Sequence, residues 1–343
     1  MKLTTLSLAL APIAALALHH QIPLPPLSPN HPPPAGPLPG IPILGISTGN
    51  MHPSTAAAAV SWAIQMGYTH IDCAAAAGNE AAVGRGIAAG LRRTRKTRAD
   101  LWITSKLWND HHAPDRVAAA LNRSLTELGV GYLDLYHMHW PVGSDDGVHR
   151  IDYLATWDAM TRAVDSGAVR HLGVSNFSPR QMETLLNHTR HAPAVHQMEL
   201  HPYLPQPAWL EWHRRHHIHV TAYSPLADTN PVYDTSPSPH PPLLRHPTLH
   251  AIAAHRGCTP AQVAIMWALA RGTSTIPEAE TREHVWENFH SLACVLQAED
   301  LESLDQLVGE DPVRFSDPGR DWGVPLFEGL EDGDLSGHPK GEL

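Results

Sequence analysis

The chain has 343 residues, a length that suits one large α/β domain or two smaller ones. Its formal net charge is -10 and the sequence shows no basic stripe, which argues against nucleic acid as a partner. Histidine is abundant, but neither HExxH nor another zinc-binding spacing occurs, so no metal site is predicted.

The N-terminus has the layout of a secretory signal peptide. Lys2 precedes an apolar run over residues 3–18, and a small-residue Ala-Leu-Ala cleavage site ends at Ala17. The run is short for a membrane span and Pro12 interrupts it, so no stable membrane anchor is expected. We therefore expect residues 1–17 to be a signal peptide. This predicts a secreted or secretory-pathway protein, or a cytoplasmic one if the leader is not processed.

Between about residue 41 and about residue 330, the chain alternates apolar strands with helices. Strands are predicted at residues 43–47, 68–72, 101–106, 133–139, 169–175, 194–199, 219–224 and 273–276. Helices are predicted at residues 55–66, 80–91, 114–128, 153–166, 179–188, 207–217, 247–256 and 260–270. Eight strands alternating with helices imply a single-domain (β/α)8 TIM barrel. A doubly wound sheet would show a glycine fingerprint after the first strand, and no GxGxxG stands there.

The segments on either side of this barrel differ from it in composition. Residues 18–40 are rich in proline and are predicted to form an extended linker. Residues 331–343 are predicted to be an acidic tail. The barrel domain is therefore expected to occupy residues 41–330.

Cysteine and histidine usage gives two further expectations. Cys73, Cys258 and Cys294 are widely spaced with no CxxC, so we expect isolated core thiols rather than a set of disulfides. His213 and its neighbours, His216 and His217, sit on a polar predicted helix, where a solvated face is the preferred interpretation.

Chargeable side chains end three neighbouring predicted strands. Asp72 ends the second strand, where a buried acid is costly unless it is paired. Lys106 ends the third strand and is expected to pair with it, while His139 ends the fourth and can donate a hydrogen bond to a carbonyl oxygen. Asn79, just after Asp72, is expected to cap the next helix. Parallel barrels carry their sites at the carboxyl ends of the strands, so these side chains are candidate functional residues.

Uncharged polar residues end the next three strands. Asn176, which follows Ser175, has an amide side chain, and so does Gln197; both are suited to binding a carboxamide. Tyr223 offers a flat face for stacking an aromatic ring. Each residue alone has an ordinary interpretation as a cap or loop residue. Their convergence on one rim indicates a site.

In its motifs the chain resembles the aldo-keto reductase family from about residue 41 to about residue 330. The matching stretches agree with the family in order and spacing. They are Pro42-Ile-Leu-Gly45, Gly67-Tyr-x-His-Ile-Asp72, Gly78-Asn-Glu80, Ile103-Thr-Ser-Lys-Leu-Trp108, Asp134-Leu-Tyr-His-Met-His-Trp-Pro141, Gly173-Val-Ser-Asn-Phe177, Gln197-Met-Glu-Leu-His-Pro-Tyr203, Ala222-Tyr-Ser-Pro-Leu226 and Glu287-Asn288.

This resemblance implies a (β/α)8 reductase that moves a hydride between NADPH and a small-molecule carbonyl or alcohol. It implies catalytic roles for Asp72, Lys106 and His139, which match three of the four catalytic residues of the family. It implies cofactor-binding roles for Ser175, Asn176 and Gln197 at the carboxamide, Tyr223 at the nicotinamide ring, Ser224 to Leu226 at the pyrophosphate, and Glu287 and Asn288 at the adenine. Most members are monomeric, so a monomer is expected.

The chain departs from the family pattern in three features of the site. The catalytic tyrosine, five positions after the aspartate, is replaced by Ala77, which removes a general acid typically worth ~10²–10⁴ in rate. Glu278 and Ala279, with His284 further on, replace the Lys, Ser and Arg that hold the 2′-phosphate of NADPH. A carboxylate repels a phosphate but accepts hydrogen bonds from a ribose hydroxyl, which favours NAD(H) over NADP(H). Gly49 replaces a tryptophan of the substrate pocket, which predicts a wider pocket.

Two functions follow from these observations. The first is an oxidoreductase of aldo-keto reductase type with a degraded catalytic tetrad, in which His139 or water supplies the proton. The second is a barrel that has left redox chemistry, either a lyase or cyclase using Lys106, Asp72 and His139, or a binding protein. The amides, the tyrosine and the adenine pair favour the first. Ala77 and Glu278 favour the second, because they replace residues of the reductase site. The leader also favours it, because reduced nicotinamide is scarce outside the cell.

Overall fold

The computed structural model describes residues 21–22, 40–230, 239–309 and 311–330. The predicted signal peptide, most of the linker and the acidic tail therefore lie outside the described residues. Residues 40–308 contain one eight-stranded parallel barrel surrounded by helices, as the sequence predicts. Within the described residues, no helix is long and apolar enough to cross a membrane.

The barrel strands pair in the order in which they occur along the chain. They are β1 (Gly45–Ser47), β2 (His70–Asp72), β3 (Trp102–Leu107), β4 (Leu133–Met138), β5 (Val169–Ser175), β6 (Val195–Glu199), β7 (His219–Tyr223) and β8 (Ser274–Thr275). Single parallel bridges, Leu44 with Thr275 and Ser47 with Glu278, join the first strand to the last and close the ring. All eight carboxyl ends consequently face the same rim.

The helices lie outside the sheet, and those between two strands return the chain to the start of the next strand. They are α1 (Pro53–Met66), α2 (Glu80–Thr94), α3 (Val117–Leu128), α4 (Leu154–Asp165), α5 (Pro179–His188), α6 (Pro207–Arg215), α7 (Pro247–Arg256), α8 (Pro260–Leu269), α9 (Arg282–Phe289), α10 (Ala298–Asp305) and the short α11 (Gly319–Trp322). An antiparallel hairpin of Val142–Asp145 with Val148–Ile151 follows β4.

Local sequence signals explain where several helices begin. Ser178 caps α5 and Thr259 caps α8, each with a glutamine three residues on in a reciprocal capping box and a proline at the first turn. Asn79 precedes α2, but the predicted side-chain cap is wrong: its amide instead donates to the carbonyl oxygens of Thr48 (2.8 Å) and Met51 (2.9 Å). Asn79 thereby ties the loop after β1 to the start of α2.

The middle of the barrel is polar, although bulky aliphatic residues usually fill such interiors. His70 lies 3.3 Å from the hydroxyl of Thr104, and His219 lies 3.0 Å from the hydroxyl of Ser274. His137 is fully buried with neither ring nitrogen hydrogen-bonded among the described residues. Burial lowers the pKa of all three histidines, so these imidazoles are neutral at physiological pH.

Two further predictions outside the barrel strands are wrong. Cys258 and Cys294 form a disulfide, and only Cys73 is a buried free thiol among the described cysteines. The pairing was invisible in the spacing because it depends on the chain folding back across 36 residues. His213 is buried, since it faces inward and its ring bonds to His196 at 2.7 Å, whereas its two neighbours in the predicted cluster are exposed as expected.

Candidate active site

A cavity of about 810 Å³ opens at the carboxyl ends of the strands. This volume lies in the range typical of sites for small molecules and cofactors. It extends from Trp108 and Trp140 at one end to the first turn of α8 and the last turns of α9 at the other. Every predicted site residue lines it: Asp72, Lys106, His139, Ser175, Asn176, Gln197, Tyr223, Ser224, Leu226, Glu278, Glu287 and Asn288.

At the floor of the cavity lies a buried ion pair. The ammonium of Lys106 donates to the Asp72 carboxylate and, at 2.9 Å, to the backbone oxygen of Cys73. The amide of Gln197 donates to the other oxygen of the Asp72 carboxylate at 2.8 Å. Two charge-assisted partners therefore compensate the cost of burying this acid. An ammonium has three N–H donors, and these contacts use two of them.

His139 stands beside this pair on the rim. Its backbone N–H donates to the backbone oxygen of Leu107, so His139 is held at the carboxyl end of β4 beside the end of β3. The ring packs edge-on against Trp108 with centroids 5.1 Å apart, and its Nδ1 atom is buried without a hydrogen-bond partner among the described residues. Burial, followed by the positive charge of Lys106, lowers the pKa of His139 well below its usual value. The ring is therefore neutral, so it can donate a hydrogen bond but is a poor general acid.

An amide and a tyrosine form the next part of the wall. Asn176 has a left-handed backbone (φ 63°), which turns its side chain back over the rim. Its amide nitrogen donates to the backbone oxygen of His139 and to the hydroxyl of Ser175, both at 3.1 Å. Its amide oxygen accepts from the Tyr223 hydroxyl at 2.7 Å. These bonds hold the half-buried tyrosine ring at the edge of the cavity.

The loop after β7 continues the wall. Ser224 and Ala227 are also left-handed, with φ of 48° and 54°, and the N–H of Ala227 bonds to the oxygen of Ser224 at 2.9 Å. This tight turn places Ser224 and Leu226 in the lining. Non-glycine residues in this conformation are uncommon and concentrate at binding sites.

The far end of the cavity is acidic. Glu278 follows β8 and accepts a hydrogen bond from the backbone N–H of Asn50 at 3.3 Å. Burial, opposed by this hydrogen bond and reinforced by Glu280, raises the pKa of Glu278 from 4.5 to about 7. Asn288 donates to the backbone oxygen of Glu278 at 3.5 Å, so α9 and the loop after β8 are joined at this end. Among the described residues, no group of three or more acidic, histidine or cysteine side chains could hold a metal ion.

Small residues line the cavity where the resemblance expects large ones. Ala77 ends a single 3₁₀ turn, Ala75–Ala77, and lines the cavity with Ala74, Ala76 and Gly49. The space beside the Lys106 floor is therefore bounded by methyl groups.

Sequence reasoning missed the C-terminal part of the wall. Ser316 lines the cavity, and Trp322 and Phe327 pack behind Trp140, with ring centroids 5.1 and 6.1 Å away. The sequence does show aromatic residues at positions 322 and 327, after the last helix of the barrel. Their spacing, however, does not indicate that this segment packs against the rim of the barrel.

Comparisons with known proteins agree with this architecture. Residues 40–308 match the model of the aldo/keto reductase family. An uncharacterized oxidoreductase of Schizosaccharomyces pombe is 39% identical over 311 residues, which cover 85% of this chain and 92% of that protein. An aldo/keto reductase of Synechocystis is 40% identical over 276 residues, or 77% and 84% of the two chains. The crystal structure of an aldo-keto reductase of Bombyx mori in complex with NADP has a TM-score of 0.79 at 31% identity, covering 90% of this chain and 99% of that one.

Proposed function

We propose that this chain, which belongs to the aldo/keto reductase family, is an oxidoreductase that transfers a hydride between a nicotinamide cofactor and a small carbonyl or alcohol substrate. Membership follows from the family match over residues 40–308 and from relatives with 39% and 40% identity. The observation that carries the proposal is the shared cavity, in which the Lys106–Asp72 pair and His139 adjoin an amide, a tyrosine and a tight loop.

The donor set of the cavity fits a nicotinamide cofactor. Asn176 and Gln197 can exchange hydrogen bonds with a carboxamide, and Tyr223 can stack on a flat ring. The loop of Ser224 to Leu226 would bind the pyrophosphate, and Glu287 and Asn288, which line the same cavity, would contact the adenine. When bound, the reduced cofactor would supply the hydride. Tyr223 and the two amides would hold its ring so that the hydride reaches the carbonyl carbon of the substrate, while the oxygen takes the proton.

The proton requires a source other than a tyrosine. The remaining N–H of Lys106 and the N–H of neutral His139 can both point at a substrate oxygen and stabilise the charge that develops there. Because His139 has a strongly lowered pKa, it is a poor reserve of protons. We therefore assign the proton to water in the space beside Ala77, and expect reduction to be slow.

Glu278 supports a preference for NAD(H) over NADP(H). Its carboxylate stands where the resemblance expects the lysine that binds the 2′-phosphate, and Glu280 and Glu287 line the same end of the cavity. A phosphate there would meet acidic groups, whereas a ribose hydroxyl could donate to one of them.

The second function, a non-redox lyase, cyclase or binding protein, is favoured by the methyl-lined space at Ala77. Titration with NADH and NADPH, followed by tryptophan fluorescence, separates the two because Trp108 and Trp140 line the cavity. Saturable NADH binding supports the oxidoreductase. Binding of neither cofactor would overturn it and support the alternative.

Localisation and assembly are also proposals. We propose that a leader ending near Ala17 is removed and that the mature chain is exported as a monomer. The leader layout supports export, as does the Cys258–Cys294 disulfide, because such bonds persist in oxidising compartments. Mass spectrometry of the native N-terminus tests export, and an intact Lys2 in cytosolic material would contradict it. The molecular mass measured by sedimentation tests whether the mature chain is a monomer.

A further inference from the structure

The segment of residues 311–330 contributes to the wall of the cavity and packs against its aromatic part. Ser316 lines the cavity directly. Trp322 packs edge-on against Trp108 and Trp140, with centroid distances of 6.1 and 5.1 Å, and these two tryptophans form the aromatic wall. Trp322 of this segment therefore packs against both tryptophans of the aromatic wall.

A single buried carboxylate holds the beginning of this segment. Glu199, the last residue of β6, is fully buried. One of its oxygens accepts the backbone N–H of Phe315 at 2.8 Å and lies 2.9 Å from the ring nitrogen of His201. The other oxygen accepts the backbone N–H of Ser316 at 2.9 Å. Hydrogen bonds to an ionised acceptor are stronger than neutral ones, and a buried carboxylate without them would be costly.

Other contacts tie the same stretch to the loop after β6. The N–H of Val313 donates to the oxygen of Tyr203 at 2.9 Å, and the Arg314 guanidinium donates to the side chain of Gln206 at 3.1 Å. The Gln206 amide in turn donates to the backbone oxygen of Glu199 at 2.7 Å. Of these anchors, Glu199 binds the residue that reaches the cavity.

We propose that Glu199 is a positioning residue that fixes the aromatic wall through residues 315–316 and so selects carbonyl substrates bearing an aromatic ring. This inference rests on the proposed oxidoreductase function. A flat ring gains from stacking only if the tryptophans are held in place, because stacking depends on distance and orientation. A short aliphatic aldehyde makes no such contact. Glu199 does not line the cavity. It therefore acts on recognition of the ring through residues 315–316, and we expect cofactor binding to be unchanged.

The test compares Glu199→Gln and Glu199→Ala with the wild type. KM is measured with NADH for 4-nitrobenzaldehyde and for propanal, together with the NADH dissociation constant. We expect Glu199→Ala to raise the KM of the aromatic aldehyde about fivefold or more and that of propanal less than about twofold. The amide of Glu199→Gln keeps one acceptor and should give a smaller change. Glu302→Gln, which removes an exposed acid on α10, is the matched control and should change neither KM.

Hydrogen exchange provides a readout independent of turnover. The amides of Phe315 and Ser316 should lose protection in Glu199→Ala, while those of β2 and β3 keep theirs. If Glu199→Ala does not fold, Trp322→Ala removes the support of the wall and should raise the aromatic KM selectively. Equal changes for both aldehydes, or unchanged exchange at Phe315 and Ser316, would overturn the inference.

A failure of the proposed function itself would look different. The wild type would then bind no NADH and reduce neither aldehyde. In that case, quenching of tryptophan fluorescence by 4-nitrobenzyl alcohol would still report the wall. Weaker quenching in Glu199→Ala than in Glu302→Gln would support the positioning role, and equal quenching would refute it.

Discussion

Replacing Ala77 by tyrosine should restore a general acid to the cavity. Ala77 lines the space beside the floor, where the neighbouring residues are alanines and a glycine, so a phenol can enter without displacing a large side chain. Lys106 already donates to Asp72 and to the oxygen of Cys73, which leaves one N–H for a phenolic oxygen.

The expected magnitude follows from that contact. A hydrogen bond to a charged group contributes ~1.5–3 kcal/mol, which lowers the pKa of a phenol by about one to two units from near 10. A general acid with a pKa near the working pH contributes ~10²–10⁴ in rate. We therefore expect Ala77→Tyr to raise kcat for an aromatic aldehyde by about 10² or more.

The assay is reduction of 4-nitrobenzaldehyde, followed by loss of NADH or NADPH absorbance. Ala77→Phe is the matched control, because it fills the same space without a hydroxyl and should give no gain. If Ala77→Tyr binds cofactor but is no faster than Ala77→Phe, the reasoning from the cavity is wrong. A fast wild type would instead show that Ala77 does not limit proton transfer.

Three further predictions concern charge and stability. Burial raises the pKa of Glu278 to about 7, so the ratio of NADPH to NADH dissociation constants should rise between about pH 6 and pH 8; a rise equally steep in Glu278→Gln would contradict this. Burial lowers the pKa of His213 and His219 from 6.5 to about 3. The unfolded chain then takes up protons that the folded chain does not, so the free energy of unfolding should fall as pH falls from about 6.5 towards 3, by up to ~1.4 kcal/mol per pH unit for each histidine. Urea unfolding at several pH values measures the slope, which should be shallower in His219→Gln. Replacing both Cys258 and Cys294 by serine should lower the free energy of unfolding by ~4 kcal/mol, the loop-entropy value for a 36-residue separation; a loss under ~1 kcal/mol would refute that assignment.

The sequence predicted the barrel because local signals and periodicity agreed. The predicted bounds of β5 and α5 are those of the structure, since glycine and proline punctuate both and Ser178 caps the helix. His213 was misassigned because its charged neighbours suggested solvent. Its ring lies 4.1 Å from that of Trp209, on the one face of α6 that packs inward. The anchoring role of Glu199 is not visible in the sequence because the two backbone N–H groups that it binds, those of Phe315 and Ser316, lie more than a hundred residues away.

The contacts of the site decide which residues distinguish the two functions. Asn176 bonds to His139, Ser175 and Tyr223, and Gln197 bonds to Asp72, so these side chains stabilise the rim even without a cofactor. Their presence alone therefore fits both an oxidoreductase and a binding protein.

Turnover in Ala77→Tyr carries more information, because a gain requires the carbonyl, Lys106 and the nicotinamide to meet in one arrangement. If the hydrogen bonds of the rim only stabilise the fold, they do not require this catalytic arrangement. A rate increase of about 10² over Ala77→Phe would thus favour a reductase that lacks one hydroxyl over a barrel that has left redox chemistry.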